Sequence, residues 1–241
     1  MVEHRGYLYR VGGFTAMNKP GDPQDLRSQA DFARFNTQTQ TWEALPSLPE
    51  ARSSHDAAVV GDTLYVVGGW NLQGRSSESK WQDTALAMNL GNETYAWRTI
   101  APPPFKRRAL ALAELDGRLY CVGGMQEKGG QTTAVAIYDS AKDAWSEGPA
   151  LIGGGMEGFG ASAFTCQGAL YVTTMSGSVQ RLARDGTDWE YLGQLAHPRF
   201  FHRVLPWRNE KLVVVGGGSM TAGKVLELEI LAGFDVETTA N

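Results

Sequence analysis

With 241 residues the chain is long enough to bury one sizeable core, and its 29 glycines beside a charged fraction of 20% point to many tight turns in a globular domain, not to low complexity. A net charge of -4, with lysines and arginines scattered along the sequence, leaves no basic stripe of the kind that phosphate backbones require, so nucleic acid is not an expected partner. No run approaches the roughly 18 apolar residues of a membrane span, and "MVEHRGYLYR" carries charges where an export signal would carry its apolar stretch; a membrane partner is not expected, this chain shows no export signal, and the compartment stays open.

Taken in chain order, the predicted elements repeat. The turn Arg5-Gly6 leads into "LYRVGGF" from Leu8, Gly61-Asp62 into "LYVVGGW" from Leu64, and Asp116-Gly117 into "LYCVGGM" from Leu119. Gln167-Gly168 then leads into the degenerate "LYVTTMS" from Leu170, and a longer turn, Arg208-Asn209-Glu210, into "LVVVGGG" from Leu212. Each turn is preceded by another apolar run, which predicts antiparallel hairpins. A variable loop and a third strand-like run follow each copy: "DFARF", "DTALAMNL", "TTAVAIYD", "SVQRLA" and "KVLELEI". A fourth run opens on Trp42, Trp97, Trp145 or Trp189 in the first four copies. The unit is a four-stranded meander recurring every roughly 50 residues.

A glycine pair closing strand two, a tryptophan opening strand four and this period resemble the kelch repeat, and the resemblance spans nearly the whole chain. It implies an all-β fold, a β-propeller of four-stranded antiparallel blades, about five of them present in a single domain over residues 1–241. Tryptophan and tyrosine rings are expected to fill the space between blades, and Gly68 and Gly69 to be structural. "GGGMEG" at 153–158 has the spacing of a dinucleotide fingerprint but leads into a strand instead of a helix, so it is read as an interblade loop. Cys121 and Cys166 lie in apolar runs without zinc-type spacing and are expected as two buried free thiols. No metal or cofactor is expected.

Alignment on the strand-two leucines places Met1 opposite Ala57, halfway along strand one, and the residues after Gly217 supply a third strand and part of a fourth without a tryptophan. The expectation is an N-terminally incomplete six-bladed ring, its first blade lacking most of its innermost strand and its last blade short; the alternative is a five-bladed ring closed in another way.

Strand-one starts share a rim with the loops joining strands two and three. Counting back from the strand-two leucines puts Arg52, Arg107 and Arg199 at equivalent places, and "RSSH" and "RFFH" add His55 and His202. Arg108 and Glu157 belong near the same ring, beneath the long loops 14–30 and 70–82. The family resemblance implies that this face binds acidic peptides through such arginines, whose planar fork pairs carboxylates bidentately. The seven residues are therefore the candidate ligand-binding set, while Phe159, Phe200 and Phe201 are expected to pack between blades. The leading reading is a monomeric binding module for a protein segment or an acidic small molecule. The alternative is a sugar-acid enzyme resembling N-acetylneuraminate epimerase, with His55, His202 or Glu157 as acid or base. Copper oxidase chemistry ranks last, because both cysteines are read as strand residues. Since no nucleophile is paired with a base at recognisable spacing, binding without catalysis is favoured and no catalytic residue is assigned.

Overall fold

In the computed structural model, which describes residues 1–75, 79–92, 94–208 and 211–231, the repeats are five sheets, each an antiparallel meander. Blade 1 is built from Val2–His4, Tyr7–Val11, Phe32–Asn36 and Thr41–Leu45. Blade 2 has Asp56–Val60, Thr63–Val67, Leu86–Asn89 and Arg98–Thr99, and blade 3 has Ala111–Leu115, Arg118–Val122, Val135–Asp139 and Ala144–Gly148. Blade 4 comprises Ser162–Cys166, Ala169–Thr173, Ser178–Leu182 and Trp189–Gln194. Blade 5 has three described strands, Arg203–Trp207, Lys211–Val215 and Glu229–Leu231. Part of its first turn, at 209 and 210, and the expected fourth strand after 231 fall outside the described residues. The hairpin turns are tight because Arg5, Asp116 and Gln167 each take a left-handed φ ahead of a left-handed glycine.

Side-chain alternation turns this order into a ring of packed sheets. Along strand two of blade 2, Leu64 and Val66 face blade 1 while Tyr65 and Val67 face blade 3. Strand two of blade 3 sends Leu119 and Cys121 to blade 2 and Tyr120 and Val122 to blade 4. Four apolar layers result, one at each junction from blade 1 to blade 5. The indoles add a polar tie: Trp97 Nε1 donates to Pro46 O at 2.9 Å, Trp145 Nε1 to Ala101 O at 2.8 Å and Trp189 Nε1 to Pro149 O at 2.8 Å, each reaching the end of strand four in the preceding blade. Trp42, in blade 1, departs from the pattern and is 53% exposed. Cys121 is buried with its thiol pushed up to about 12 by burial, but Cys166 is only half-buried, which corrects the expectation of two buried thiols.

The glycine pair has a steric cause that differs between its two members. A Cβ on Gly68 would stand 2.4 Å from Leu110 Cδ2 and 2.6 Å from Arg107 O in blade 3, so this glycine lets the next blade approach. A Cβ on Gly69 would meet Ser53 O at 2.5 Å and His55 Cβ at 2.9 Å in its own blade. Both also have φ in the left-handed region, at 73° and 91°.

Just before the inner strands, a second feature links the blades. Ala109 N–H donates to Ser54 O at 2.8 Å, Gly160 N–H to Ala109 O at 2.9 Å and Phe201 N–H to Gly160 O at 2.8 Å. All four residues are left-handed, with φ between 53° and 62°. This ladder runs round the channel at the end where the strand-two to strand-three loops gather.

Candidate ligand-binding rim

Arg52, Arg107 and Arg199 are all at that end, and all are buried. Arg52 donates to Gly68 O at 3.2 Å, Thr84 O at 2.8 Å, Thr84 Oγ1 at 2.8 Å and Gln82 Oε1 at 3.3 Å. Arg199 donates to His197 O, Gly216 O and Glu227 O and pairs with Glu229 Oε1 at 2.6 Å. Arg107 donates to Ala134 O at 2.8 Å and lies 4.2 Å from the centre of the Phe105 ring. The three equivalent positions thus hold the loop after strand two against its own blade, and burial draws Arg52 down to about 10, still charged at neutral pH.

His55 and His202 occupy equivalent places beneath the glycine pairs, with their Cβ atoms against Gly69 and Gly217. Burial, followed by the nearby Arg52, pulls His55 down to about 3. Burial and then Arg199 pull His202 down to about 4, and its Nε2 shares a 2.6 Å hydrogen bond with Thr173 Oγ1. Glu157, on the short turn Gly155–Gly158, accepts hydrogen bonds from Thr174 Oγ1 and, at 2.7 Å, from Ser176 Oγ.

Arg108 differs from the other arginines. Its guanidinium carbon lies 4.0 Å above the Trp70 ring and 5.4 Å from that of Trp81, and Nη2 reaches Met125 Sδ at 2.9 Å. It is half-buried and, among the described residues, has no carboxylate at ion-pair distance. Arg34, Arg181, Arg199 and Arg203 pair with Glu43, Glu190, Glu229 and Asp56, while Arg52 and Arg107 share its lack of an ion pair among the described residues but direct their guanidinium groups to backbone carbonyls; the indole stacking is what sets Arg108 apart. Beside it, a cleft of about 480 Å³ is bounded by Pro103, Pro104, Phe105, Lys106, Arg107 and Lys128 together with Asp83, Gln126 and Glu127.

Buried polar atoms without a hydrogen-bond partner concentrate at the same rim. Among the described residues they are Asp25 Oδ1, Arg52 Nε, His55 Nδ1, Trp70 Nε1, Gln82 Nε2, Arg107 Nε, Arg108 Nε and His202 Nδ1. Every one belongs to a strand-one start or a strand-two to strand-three loop. Such atoms cost free energy unless something pairs with them, which marks the rim as different from the rest of the fold. The rim also carries the exposed side chains of Phe14, Met17, Met156, Phe201 and Met220. Phe159 and Phe200 pack together with Phe201 at centroid distances of 5.0 to 6.1 Å, while Phe201 itself remains 55% exposed.

Sequence reasoning placed Arg108 near the ring but missed Trp70 and Trp81. Their signal was present: neither falls at the strand-four position that the blade tryptophans occupy. The residues of the channel ladder were missed because nothing in Ser54, Ala109 or Phe201 advertises a left-handed backbone.

The kelch motif model matches residues 51–104 and 106–152, which correspond to blades 2 and 3. Blades 2 and 3 are kelch repeats within a β-propeller. Kelch-like protein 35 of Mus musculus is 31% identical over 147 residues, covering 61% of this chain and 22% of the relative. Kelch-like protein terF of Aspergillus terreus is 28% identical over 144 residues, covering 57% and 29%, and Kelch-like protein 23 of Pongo abelii is 26% identical over 199 residues, covering 79% and 31%. The match therefore spans less than a third of each of these relatives. The solved structure of YjhT superposes on 96% of this chain and 80% of its own, with a TM-score of 0.77 at 17% identity, a likeness of fold. Among the described residues no helix is long and apolar enough to cross a membrane.

Proposed function

We propose that this propeller is a binding module whose rim takes an acidic segment of a partner protein at the junction of blades 2 and 3. The observation that carries the reading is Arg108, a cation stacked on Trp70 and Trp81 with no carboxylate of its own among the described residues. Stacking fixes the plane of the guanidinium and leaves its edge to accept a carboxylate fork. In the adjoining cleft Lys106 is paired with Asp83 and Glu127, at 3.5 and 3.9 Å, so the carboxylate-seeking charge of this junction rests on Arg108. Exposed phenylalanine and methionine side chains around the rest of the mouth suit an extended peptide better than a small sugar acid, since flexible thioethers adapt to a partner's surface.

In this reading Arg52, Arg107 and Arg199 chiefly build the rim, and Arg108 makes the direct contact. The sugar-acid enzyme ranks behind, because His202 is buried, His55 is half-buried with its pKa pulled down to about 3, and Glu157 already accepts two hydroxyl hydrogen bonds. The test is selection from a displayed peptide library on the purified chain. Enrichment of sequences with a carboxylate flanked by apolar residues, lost with Arg108→Ala at unchanged melting temperature, supports the proposal. Selection that ignores charge, or that survives Arg108→Ala, refutes it.

A further inference from the structure

The four residues of the channel ladder share a left-handed backbone but not a kind of side chain. Ser54, Ala109 and Gly160 are small, whereas Phe201, at φ 56°, is the one aromatic residue with positive φ among the described residues. A bulky side chain in that region is strained, and strain of this kind persists where the surroundings enforce it, often at binding sites. Burial of the ring does not offset it, because Phe201 is more than half exposed.

Its neighbours hold the ring in place without covering it. The Phe201 N–H donates to Gly160 O at 2.8 Å, and the ring meets Phe159 and Phe200 edge to face, at 5.3 and 5.0 Å between centroids. Gly160 makes room for it, since a Cβ there would stand 2.8 Å from Phe201 Cδ1. A ring already fixed in this way loses little conformational freedom when a partner covers it. Two residues deeper along the inner strands, the ion pair of Asp56 with Arg203 crosses the channel, which leaves its mouth as the seat for a ligand.

Arg108, Phe159 and Phe200 each directly precede a ladder residue, so the mouth changes from a cation at blade 3 to aromatic rings at blades 4 and 5. Two ladder bonds separate Ala109 from Phe201. Backbones bonded side by side stand about 4.8 Å apart, which puts these two residues about 10 Å apart. The Arg108 guanidinium leans further off, over Trp70 of blade 2. An extended segment rises about 3.3 Å per residue and covers that span in about three or four residues. We propose that Phe201 is the anchor for an aromatic side chain three or four residues away from the carboxylate that Arg108 takes, on the same partner segment. The proposal rests on the acidic-segment reading above and adds to it a second specificity position. An aromatic residue suits the place because a further ring can join the edge-to-face cluster.

The experiment takes the most enriched acidic peptide from the displayed library, labelled with fluorescein, and measures its Kd by anisotropy on the unchanged chain and on Phe201→Gly. A second peptide has its aromatic residue replaced by serine. The expected peptide carries an aromatic residue three or four positions from its essential carboxylate, and Phe201→Gly weakens it by at least about tenfold. The serine peptide should bind both proteins equally, because the contact is already lost. Phe201→Gly should melt no lower than the unchanged chain, since glycine relieves the left-handed backbone; a merely structural ring would lower the melting temperature. Aromatic residues at no fixed distance from the carboxylate, or a serine peptide weakened as much as the parent by Phe201→Gly, overturn the anchor and leave the acidic-segment reading standing. Peptides that bind regardless of their carboxylate remove both. Phe201→Asn, which also tolerates this backbone, replaces a glycine variant that does not fold. Failure of both to fold makes the ring structural and overturns the anchor.

Discussion

Asp56, at the start of the blade 2 inner strand, and Arg203, at the start of that of blade 5, form a bidentate ion pair, Oδ2 to Nη1 at 3.0 Å and Oδ1 to Nη2 at 2.9 Å. These blades are not neighbours in the ring, so the pair spans its centre. Asp56 Oδ2 also accepts the Leu112 N–H of blade 3 at 3.0 Å, which ties three blades to one buried carboxylate. Burial would push this carboxylate up, but Arg203 more than offsets it and holds Asp56 below its ordinary value.

Arg203→Gln should therefore destabilise the protein by about 2 kcal/mol, less than a fully buried broken pair because Arg203 is half exposed. In urea unfolding, Asp56→Asn/Arg203→Gln should cost less than the two single changes added together. Strict additivity would show that the pair contributes nothing to holding the ring.

The glycine pair offers a contrast within one motif. Gly68→Ala forces a Cβ against blade 3 as well as an unfavourable φ, and should cost several kcal/mol; Gly216→Ala carries only the φ penalty, about 1–2 kcal/mol. Equal losses in melting temperature would remove the steric explanation of the first glycine.

Histidine burial sets the response to acid. Both His55 and His202 fall from an ordinary 6.5 to about 3 and about 4 in the folded state, so the unfolded chain binds more protons below pH 6.5. Stability is complete above that pH and declines as pH drops toward the folded values, by about 2 kcal/mol per histidine at pH 5. Denaturant midpoints at pH 7.5 and pH 5 measure it, and His202→Gln should flatten the dependence by about half. A midpoint that does not move between these pH values contradicts the burial.

How far the sequence could be read depends on what each feature needs. The blades were legible because period-two alternation, turn glycines and strand-four tryptophans are local signals. The arginine positions were found for the same reason, being at fixed distances from the strand-two leucines. What those arginines touch was not legible, because a guanidinium aimed at Thr84 O or Glu227 O and one aimed outward have the same spacing. Arg108 gains its setting from Trp70 and Trp81, residues 38 and 27 positions away on a loop of another blade, a proximity that only the packed ring creates.

The rim arginines also divide by expected phenotype. Arg52→Ala strips the bonds that hold Gly68 O and Thr84 O and should lower the melting temperature markedly, taking any binding with it. Arg108→Ala should leave melting within about 2 °C, since it removes contacts to Trp70, Trp81 and Met125 Sδ but no backbone tie. Differential scanning fluorimetry of the two variants distinguishes the roles, and equal melting would merge them.

The most direct test of the proposed site is calorimetric titration of a library-selected acidic peptide into the wild type, Arg108→Ala, Phe201→Ser and Arg118→Ala/Arg184→Ala, the last at the opposite end of the blades. The account predicts at least about a tenfold weaker Kd for Arg108→Ala and for Phe201→Ser, about 1.4 kcal/mol each, with the opposite-end variant unchanged. Binding that survives both rim changes and is lost in Arg118→Ala/Arg184→Ala would contradict it.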